Sequence, residues 1–206
     1  MTVQVKVCGI TSLDEAQAME GLGVRYFGFN FFPSSKRYIT PDKAQEIIQH
    51  LSPVSIPIGL FVDEDINTLL SITRQTKVSM VQLHGSESET YISQMLLPVI
   101  KAVAVAPDTK ALPSPVSGIR YLLFDTKTDK HFGGTGSCFN WNLLSTYKGV
   151  VPFFLAGGLG PENLEDALKA SKPYAVDLNS RIEISPGKKD LKKLEQCMEI
   201  IKDFRL

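Results

Sequence analysis

Segments typical of β-strands alternate with segments typical of amphipathic helices along the whole chain. Eight strand-like segments fall at about residues 3–8, 25–31, 56–62, 79–84, 99–105, 121–125, 151–156 and 174–178. Helix-like segments fall at about residues 12–22, 42–51, 66–75, 87–97, 141–147, 161–171 and 190–204. Pro107, Pro113 and Pro115 follow the fifth strand, so a helix there is predicted to be short or degenerate. This alternation constrains the fold more than any other feature of the sequence.

Strands that alternate with helices predict a parallel sheet, because each helix carries the chain back to the start of the next strand. Eight such units predict a closed barrel, and 206 residues lie close to the lower size limit of that fold. The predicted fold is α/β: a single (β/α)8 TIM barrel of near-minimal length, with one domain over residues 1–206. The alternative is an open doubly wound sheet, which needs no eighth unit. Residues 8–11 (CGIT) lack the glycine-rich pattern that usually follows its first strand.

The charge balance and the cysteine count argue against several classes of protein. The 22 basic and 22 acidic residues cancel, so we expect neither a nucleic-acid partner nor binding to a membrane surface. No apolar run approaches the roughly 20 residues that span a bilayer, and the first residues are typical of a strand rather than a signal peptide. Three widely spaced cysteines predict neither a disulfide framework nor a metal site. We therefore expect a cytoplasmic protein.

Polar or titratable side chains stand at the ends of four predicted strands. Cys8, His84, Asp125 and Asp177 have the inward-facing parity of their strands, and Lys6 shares the face of Cys8. Each alone has an ordinary structural explanation, such as a small buried group, a turn residue or a hydrogen-bonded core residue. Barrel enzymes build their active sites at the carboxyl ends of the strands, so the four together predict a site there. The outward faces hold apolar residues: Val3, Val5, Val7, Val81, Leu83, Leu122, Phe124, Val176 and Leu178.

Glycine-containing turns follow the sixth and seventh predicted strands, and a polar turn follows the eighth. They comprise residues 133–136 (GGTG), 156–159 (AGGL) and 179–181 (NSR). Glycine lets backbone amides approach an anion closely, and phosphate-binding barrels use the loops after strands seven and eight. The residues predicted to bind a phosphate are Gly157, Gly158, Asn179, Ser180 and Arg181.

Two further basic segments have more ordinary interpretations. The loop 34–38 (SSKRY) is either a solvated surface loop or a segment that brings Arg37 to the rim to bind a carboxylate through two hydrogen bonds. Residues 186–190 (PGKKD) are interpreted as a turn that leads to Asp190, the predicted N-cap of the last helix.

Seven segments together carry a resemblance to a known family. They are residues 6–11 (KVCGIT), 35–39 (SKRYI), 82–85 (QLHG), 124–127 (FDTK), 133–136 (GGTG), 156–159 (AGGL) and 186–190 (PGKKD). They occur in the order of the family and cover almost the whole chain. On these motifs the chain resembles the phosphoribosylanthranilate isomerase family of tryptophan biosynthesis.

The resemblance implies a reaction and two catalytic residues. The reaction is the Amadori rearrangement of N-(5-phosphoribosyl)anthranilate to 1-(2-carboxyphenylamino)-1-deoxyribulose 5-phosphate, which requires no cofactor and no metal. At the matching positions, the resemblance implies that Cys8 is the general base and Asp125 the general acid. A proton donor and a base on opposite sides of the sugar suit ring opening followed by cleavage of a carbon–hydrogen bond.

The resemblance also implies how the substrate is held. Arg37 matches the position that binds the anthranilate carboxylate, and His84 and Asp177 are expected to contact the substrate. Gly157 and Gly158 match part of the phosphate cradle. The small-molecule partner is thus expected to be a phosphorylated sugar joined to anthranilate.

The turn after the eighth strand departs from the family pattern. The family usually has Ser-Ser-Gly-Val-Glu there, whereas this chain has residues 179–183 (NSRIE), so Arg181 occupies the glycine position. If that position needs a positive φ, arginine is strained. If only its amide is used, the guanidinium either contacts the phosphate or points to solvent.

Four other functions are alternatives to the isomerase. A ribulose-phosphate epimerase would need more metal-ligand histidines at strand ends than the three histidines of this chain supply. An indole-glycerol-phosphate synthase would need a lysine pair with a glutamate on its strands and a longer N-terminal segment. A dual isomerase that also accepts a histidine-pathway aminoaldose phosphate, and a catalytically silent sugar-phosphate-binding barrel, stay open.

Overall fold

The eight predicted strands form one closed parallel barrel. The computed structural model describes residues 2–106, 108–112, 117–126, 140–147 and 149–204. The strands are β1 (Gln4–Cys8), β2 (Tyr26–Asn30), β3 (Ile56–Phe61), β4 (Met80–Leu83), β5 (Val99–Val105), β6 (Tyr121–Thr126), β7 (Phe153–Leu155) and β8 (Ala175–Leu178). Each strand pairs in parallel with the next, and β1 pairs with β8 to close the barrel. The predicted fold class is confirmed.

Helices connect most of the strands on the outside of the barrel. They are α1 (Leu13–Gly21), α2 (Pro41–Ile48), α3 (Ile66–Thr76), α4 (Glu89–Ile92), α5 (Leu164–Ser171) and α6 (Leu191–Asp203). Asp190 caps α6 as predicted, because its carboxylate accepts the amide hydrogens of Lys192 and Lys193. The described residues 108–112 and 117–120, between β5 and β6, contain no helix.

Two predicted helices differ from those observed. The fourth was predicted over residues 87–97, but α4 begins after Ser88 and ends at Ile92. Glu87 does not join the helix because its carboxylate accepts the amide hydrogens of Asp63 and Gly85. Pro98 disfavours helical backbone at the residue before it. The segment after β6 forms a 3₁₀ helix, Trp141–Thr146, in place of an α-helix.

Inward and outward side chains follow the predicted alternation. The outward residues of β1, β4, β6 and β8 pack under the helices in the larger of the two apolar clusters. The interior cluster contains Tyr26, Ile58, Met80, Ile100, Tyr121, Leu123, Phe154, Ala156 and Ala175. Aromatic residues fill the amino-terminal end of the interior, where the hydroxyl oxygens of Tyr26 and Tyr174 lie 2.8 Å apart. Polar side chains occupy the opposite end, so the fold leaves the carboxyl ends of the strands for the site.

Two elements after β8 were not predicted from the sequence. A 3₁₀ helix, Ser180–Ile182, leads directly into an antiparallel hairpin made of β9 (Glu183–Ser185) and β10 (Lys188–Lys189). The backbone carbonyl of Gly187 in the hairpin turn accepts a hydrogen bond from the Thr11 hydroxyl, 2.6 Å away. The hairpin is therefore fastened to the loop after β1.

The described residues contain no helix that is long and apolar enough to cross a membrane. The glycine-rich segment 133–136 lies outside the described residues. That residues 1–206 form a single domain stays a prediction.

Candidate active site

A buried ion pair joins the first and last strands of the barrel. Lys6 Nζ donates a hydrogen bond of 2.7 Å to Asp177 Oδ2, and the Lys6 side chain is completely buried. The two residues are direct partners in the β1–β8 register, which places both side chains at the same level of the interior. Burial opposes the charge on Lys6, but Asp177 and Cys8 outweigh it and raise the pKa of the ammonium. Lys6 is therefore a fixed positive charge inside the barrel mouth.

Cys8 lies one inward position above Lys6, at the end of β1. Its side chain is buried, and its strand partner across the ladder is Gly28 on β2. A Cβ atom on Gly28 would lie 3.0 Å from Cys8 Sγ and 3.2 Å from Lys6 Nζ. The missing side chain at Gly28 thus makes room for the thiol and the ammonium together. Burial raises the pKa of the Cys8 thiol, and the nearby Lys6 charge only partly opposes this effect.

Asp125 on β6 and His84 just after β4 form a second pair, on the side of the barrel opposite β1. His84 Nε2 lies 3.5 Å from Asp125 Oδ2, and about a quarter of each side chain is exposed. The amide of Thr126 donates a 2.8 Å hydrogen bond to Asp125 Oδ1. Gln82 Nε2 lies 3.0 Å from His84 Nδ1 and orients the imidazole ring. This pair faces the open mouth, whereas Cys8 is enclosed.

Asp177 belongs to the buried pair and also interacts electrostatically with the second pair. Burial raises its pKa, Lys6 opposes the rise, and the charges of Asp125 and His84 are close enough to contribute. Its Oδ1 atom is buried and has no hydrogen-bond partner among the described residues. The four predicted strand-end residues therefore lie close together at one end of the barrel.

Arg37 lies at the rim and forms a two-pronged ion pair with Glu183. Its Nε donates to Glu183 Oε1 at 2.9 Å, and its Nη2 donates to Oε2 at 2.6 Å. A Cβ atom on Gly9 would lie 2.7 Å from Arg37 Cδ, so the aliphatic part of the arginine covers this glycine. Gly9 also has a φ of 77°, which residues with a side chain rarely adopt, so both the space and the backbone conformation require glycine there. The interpretation of 34–38 as a solvated loop does not fit Arg37, whose side chain is only 15% exposed.

The turn after β7 requires glycine at two successive positions. Gly157 and Gly158 have φ angles of 93° and 67°, which residues with a side chain rarely adopt. Asn163 fastens this turn, because its Nδ2 donates to the Gly158 carbonyl and its Oδ1 accepts from the Gly160 amide. The 3₁₀ helix after β8 lies beside it, where barrels of this type place a phosphate.

Arg181 occupies an unstrained position in that 3₁₀ helix. Among the described residues other than glycine, only Asp63, Lys77 and Lys172 have positive φ angles. Its Nη1 lies 3.6 Å from Glu162 Oε2, and a Cβ atom on Gly160 would lie 2.8 Å from Arg181 Cβ. Arg181 therefore does not have the positive φ that would make an arginine strained at the position where the family usually has glycine.

Replacing Arg181 with glycine is expected to destabilise the fold by about 1 kcal/mol. The change removes packing against Gly160 and a half-exposed ion pair worth about 0–1 kcal/mol, and it adds backbone entropy to the unfolded chain. Urea denaturation measures the difference, with Arg181→Ala as the control that isolates the glycine entropy. A glycine variant more stable than the wild type would show that strain is present after all.

Four residues of this region were not singled out as site residues from the sequence: Lys6, Gly28, Glu183 and Lys189. The Lys189 side chain is completely buried, and its Nζ contacts Glu183 Oε1 at 2.8 Å and Asn179 Oδ1 at 2.9 Å. The inward parity of Lys6 was a usable signal, because a lysine inside a barrel needs a partner. No sequence signal marked Lys189 as a site residue, since it stands next to the exposed Lys188 in a basic turn.

The described residues contain no group of three or more histidine, cysteine, aspartate or glutamate side chains arranged to hold a metal ion. The side chains at the carboxyl ends of the strands include a thiol, a carboxyl group and an imidazole, and all three can transfer protons. A closed parallel barrel with these groups at the carboxyl ends of its strands defines the class of (β/α)8-barrel enzymes.

Within that class, the chain belongs to the N-(5'-phosphoribosyl)anthranilate isomerase family, whose model matches residues 5–200. The isomerase of Thermotoga neapolitana is 39% identical over 191 residues, which cover 91% of this chain and 93% of that protein. The structure of the isomerase from Thermotoga maritima has a TM-score of 0.87 and 34% identity, covering 98% of this chain and 100% of that one. A phosphoribosyl anthranilate isomerase in complex with reduced 1-(o-carboxyphenylamino)-1-deoxyribulose 5-phosphate has a TM-score of 0.82, 33% identity and the same coverage.

Proposed function

We propose that this chain is an isomerase of tryptophan biosynthesis that converts N-(5'-phosphoribosyl)anthranilate to 1-(2-carboxyphenylamino)-1-deoxyribulose 5-phosphate. The observation that carries the proposal is the meeting of an enclosed thiol, Cys8, and an accessible carboxyl group, Asp125, in one barrel mouth. Family membership and the reduced product analogue bound by a relative support it. The reaction oxidises C2 of the sugar and reduces C1 within one molecule, so it needs no external electron carrier.

The first step is ring opening, with Asp125 as the proposed acid. Its proton goes to the ring oxygen, the bond from that oxygen to C1 breaks, and the nitrogen lone pair forms a positively charged iminium ion with C1. The carboxylate that remains accepts the Thr126 amide and lies beside His84. Both contacts stabilise the negative charge that the proton transfer creates. A general acid of this kind typically contributes 10²–10⁴-fold to the rate.

The second step is proton removal from C2, with Cys8 as the proposed base. The electrons of the broken carbon–hydrogen bond form a double bond between C2 and C1, and the electrons of the carbon–nitrogen double bond return to the nitrogen. The positive charge of the iminium ion is thereby neutralised, which gives an enolamine. The enolamine becomes the ketone when C1 takes up a proton and the C2 hydroxyl loses one. Because burial raises the pKa of Cys8, the thiolate needs a compensating charge. Lys6 supplies that charge and is held in place by Asp177.

The two ends of the substrate are assigned to opposite parts of the rim. Glu183 accepts from Nε and Nη2 of Arg37, so Nη1 is proposed to bind the anthranilate carboxylate. Backbone amides of Gly157, Gly158 and the 179–181 turn are proposed to hold the phosphate. We expect His84 and Asp177 to contact the sugar, and we expect the reaction to take place in the cytoplasm.

Replacing Arg37 with lysine is expected to weaken binding of the substrate about tenfold or more. Lysine keeps the charge but loses the planar fork that contacts Glu183 and a carboxylate at the same time. The loss should be much smaller for a ligand without the anthranilate carboxylate. Calorimetry with the reduced product analogue and its phenylamino counterpart measures both values. Equal losses for the two ligands would remove Arg37 from the carboxylate site.

A spectroscopic assay with phosphoribosylanthranilate generated in situ tests the proposed function directly. The histidine-pathway aminoaldose phosphate, run beside it, tests the dual isomerase. Turnover of phosphoribosylanthranilate alone supports the proposal as stated. Binding of the reduced product analogue without any turnover would indicate the catalytically silent barrel instead.

A further inference from the structure

A continuous chain of charged and polar contacts connects the two proposed substrate-binding regions. Arg37 contacts Glu183, Glu183 Oε1 accepts from Lys189 Nζ, and Lys189 Nζ donates to Asn179 Oδ1. Arg37 belongs to the loop after β2, whereas Asn179 opens the turn after β8. The chain therefore runs from the residue assigned to the carboxylate to the turn assigned to the phosphate.

Glu183 and Lys189, the inner residues of this series of contacts, are buried charges, and each needs the other as a partner. The side chains of Glu183 and Lys189 are 3% and 0% exposed, and a buried charge is tolerated only when it is paired. Glu183 satisfies two cations at once and also accepts the Gly187 amide hydrogen. The pKa of Glu183 is held below its usual value, because these partners outweigh the effect of burial. Glu183 is thus an anionic bridge with fixed geometry.

The hairpin that carries Glu183 and Lys189 is itself fastened at a distance from the site. The Lys189 amide donates to Glu15 Oε2 at the start of α1, and Thr11 contacts the hairpin turn. These two contacts hold the hairpin, and with it Glu183 and Lys189, against the loop after β1 and the start of α1.

We propose that Glu183 and Lys189 are positioning residues that couple the two ends of the substrate site: Glu183 sets the guanidinium of Arg37, and Lys189 joins that arrangement to the phosphate turn through Asn179. The proposal rests on the proposed function. It adds two residues that act on the substrate indirectly, through Arg37 and Asn179. Neither residue is a catalytic residue. Because Lys189 contacts both Glu183 and Asn179, it acts on the carboxylate-binding region and on the phosphate turn. Glu183 acts on the carboxylate-binding region alone.

The test measures binding, with three probes and no turnover. The probes are the reduced product analogue, its phenylamino counterpart without the carboxylate, and inorganic phosphate. The preference for the carboxylated analogue over its counterpart reports on Arg37, and the phosphate affinity reports on the turn. If the wild type does not bind the carboxylated analogue, the proposed function fails. If the wild type binds it but the variants of Glu183 and Lys189 keep the wild-type preference and phosphate affinity, the coupling fails.

Glu183→Gln is expected to reduce the preference for the carboxylated analogue about tenfold, since one charge-assisted contact to Arg37 is lost. Phosphate affinity should stay within about twofold. In an Arg37→Ala background, where the preference is already absent, Glu183→Gln should add less than about twofold. A merely structural role for Glu183 would weaken all three probes, with or without Arg37, and would overturn the proposal.

Lys189→Met is expected to reduce both the carboxylate preference and the phosphate affinity, each by about threefold or more. Its matched control is Lys188→Met, which removes an exposed positive charge next to it and should change neither by more than about twofold. If the two lysine variants behave alike, the coupling is wrong. If Lys189→Met does not fold, as judged by circular dichroism, the comparison of Glu183→Gln in the two backgrounds decides for or against Glu183. Asn179→Ala, which cuts only the link to the turn, then decides for Lys189: it should lower phosphate affinity and leave the carboxylate preference intact.

Discussion

Cys8→Ser is expected to lower kcat by 10²–10⁴-fold, equivalent to about 3–5 kcal/mol of transition-state stabilisation. A serine hydroxyl has nearly the shape of the thiol but releases its proton far less readily, so the base is lost while the surroundings stay in place. The loss should appear in kcat, with binding of the reduced product analogue kept. Steady-state kinetics and a calorimetric titration on the same preparation measure the two effects.

The matched control is Cys197→Ser, which makes the same exchange at a buried cysteine of the outer helix α6. That variant should lose some stability and keep kcat within about twofold. If Cys8→Ser turns over at a near-normal rate, Cys8 is not the base. If Cys8→Ser no longer binds the analogue, the thiol has a structural role that the assignment does not include.

Asp125→Asn is expected to reduce kcat by 10²–10⁴-fold through loss of the proton donor. The amide keeps the size of the carboxyl group and can still accept the Thr126 amide hydrogen, so the turn after β6 should keep its shape. The reduced product analogue, which has an open chain, should bind within a few-fold of its normal affinity. Ring opening is the step that needs the acid, so only the cyclic substrate should suffer.

The control for this variant is Asp65→Asn, the same exchange at the exposed N-cap of α3, where asparagine caps as well as aspartate. It should leave kcat and KM unchanged. Equal loss of analogue binding and of kcat in Asp125→Asn would point to a structural role for Asp125. The difference between the two aspartate variants separates proton transfer from a general effect of lost charge.

Much of the fold could be predicted because it is encoded locally. The period-two alternation of β1 decided that Val3, Val5 and Val7 pack outward, and that Lys6 and Cys8 face the interior. Eight strand-like segments, most of them followed by a helix-like segment, then predicted a closed barrel. The ends of elements were less predictable: α4 begins only after Ser88, because the Glu87 carboxylate contacts Lys101 and the amides of Asp63 and Gly85.

The candidate catalytic residues could also be named from the sequence, since strand parity and the family motifs both indicate Cys8 and Asp125. What surrounds them could not. The Lys6–Asp177 pair spans 171 residues of sequence, and the Arg37–Glu183 pair spans 146. No local pattern relates residues so far apart. Only the register between β1 and β8 and the path of the hairpin bring them into contact.

The sequence by itself determined which residues face the interior and which chemistry the strand ends can perform. Tertiary structure decided which charge stands beside which. It placed Gly28 opposite Cys8, where a glycine leaves room for the Cys8 thiol and the Lys6 ammonium, and it buried Lys189 against Glu183 while Lys188, its neighbour, stayed in solvent. The physical reason is that periodicity acts over a few residues, whereas the energy of a buried charge depends on partners that only closure of the barrel supplies.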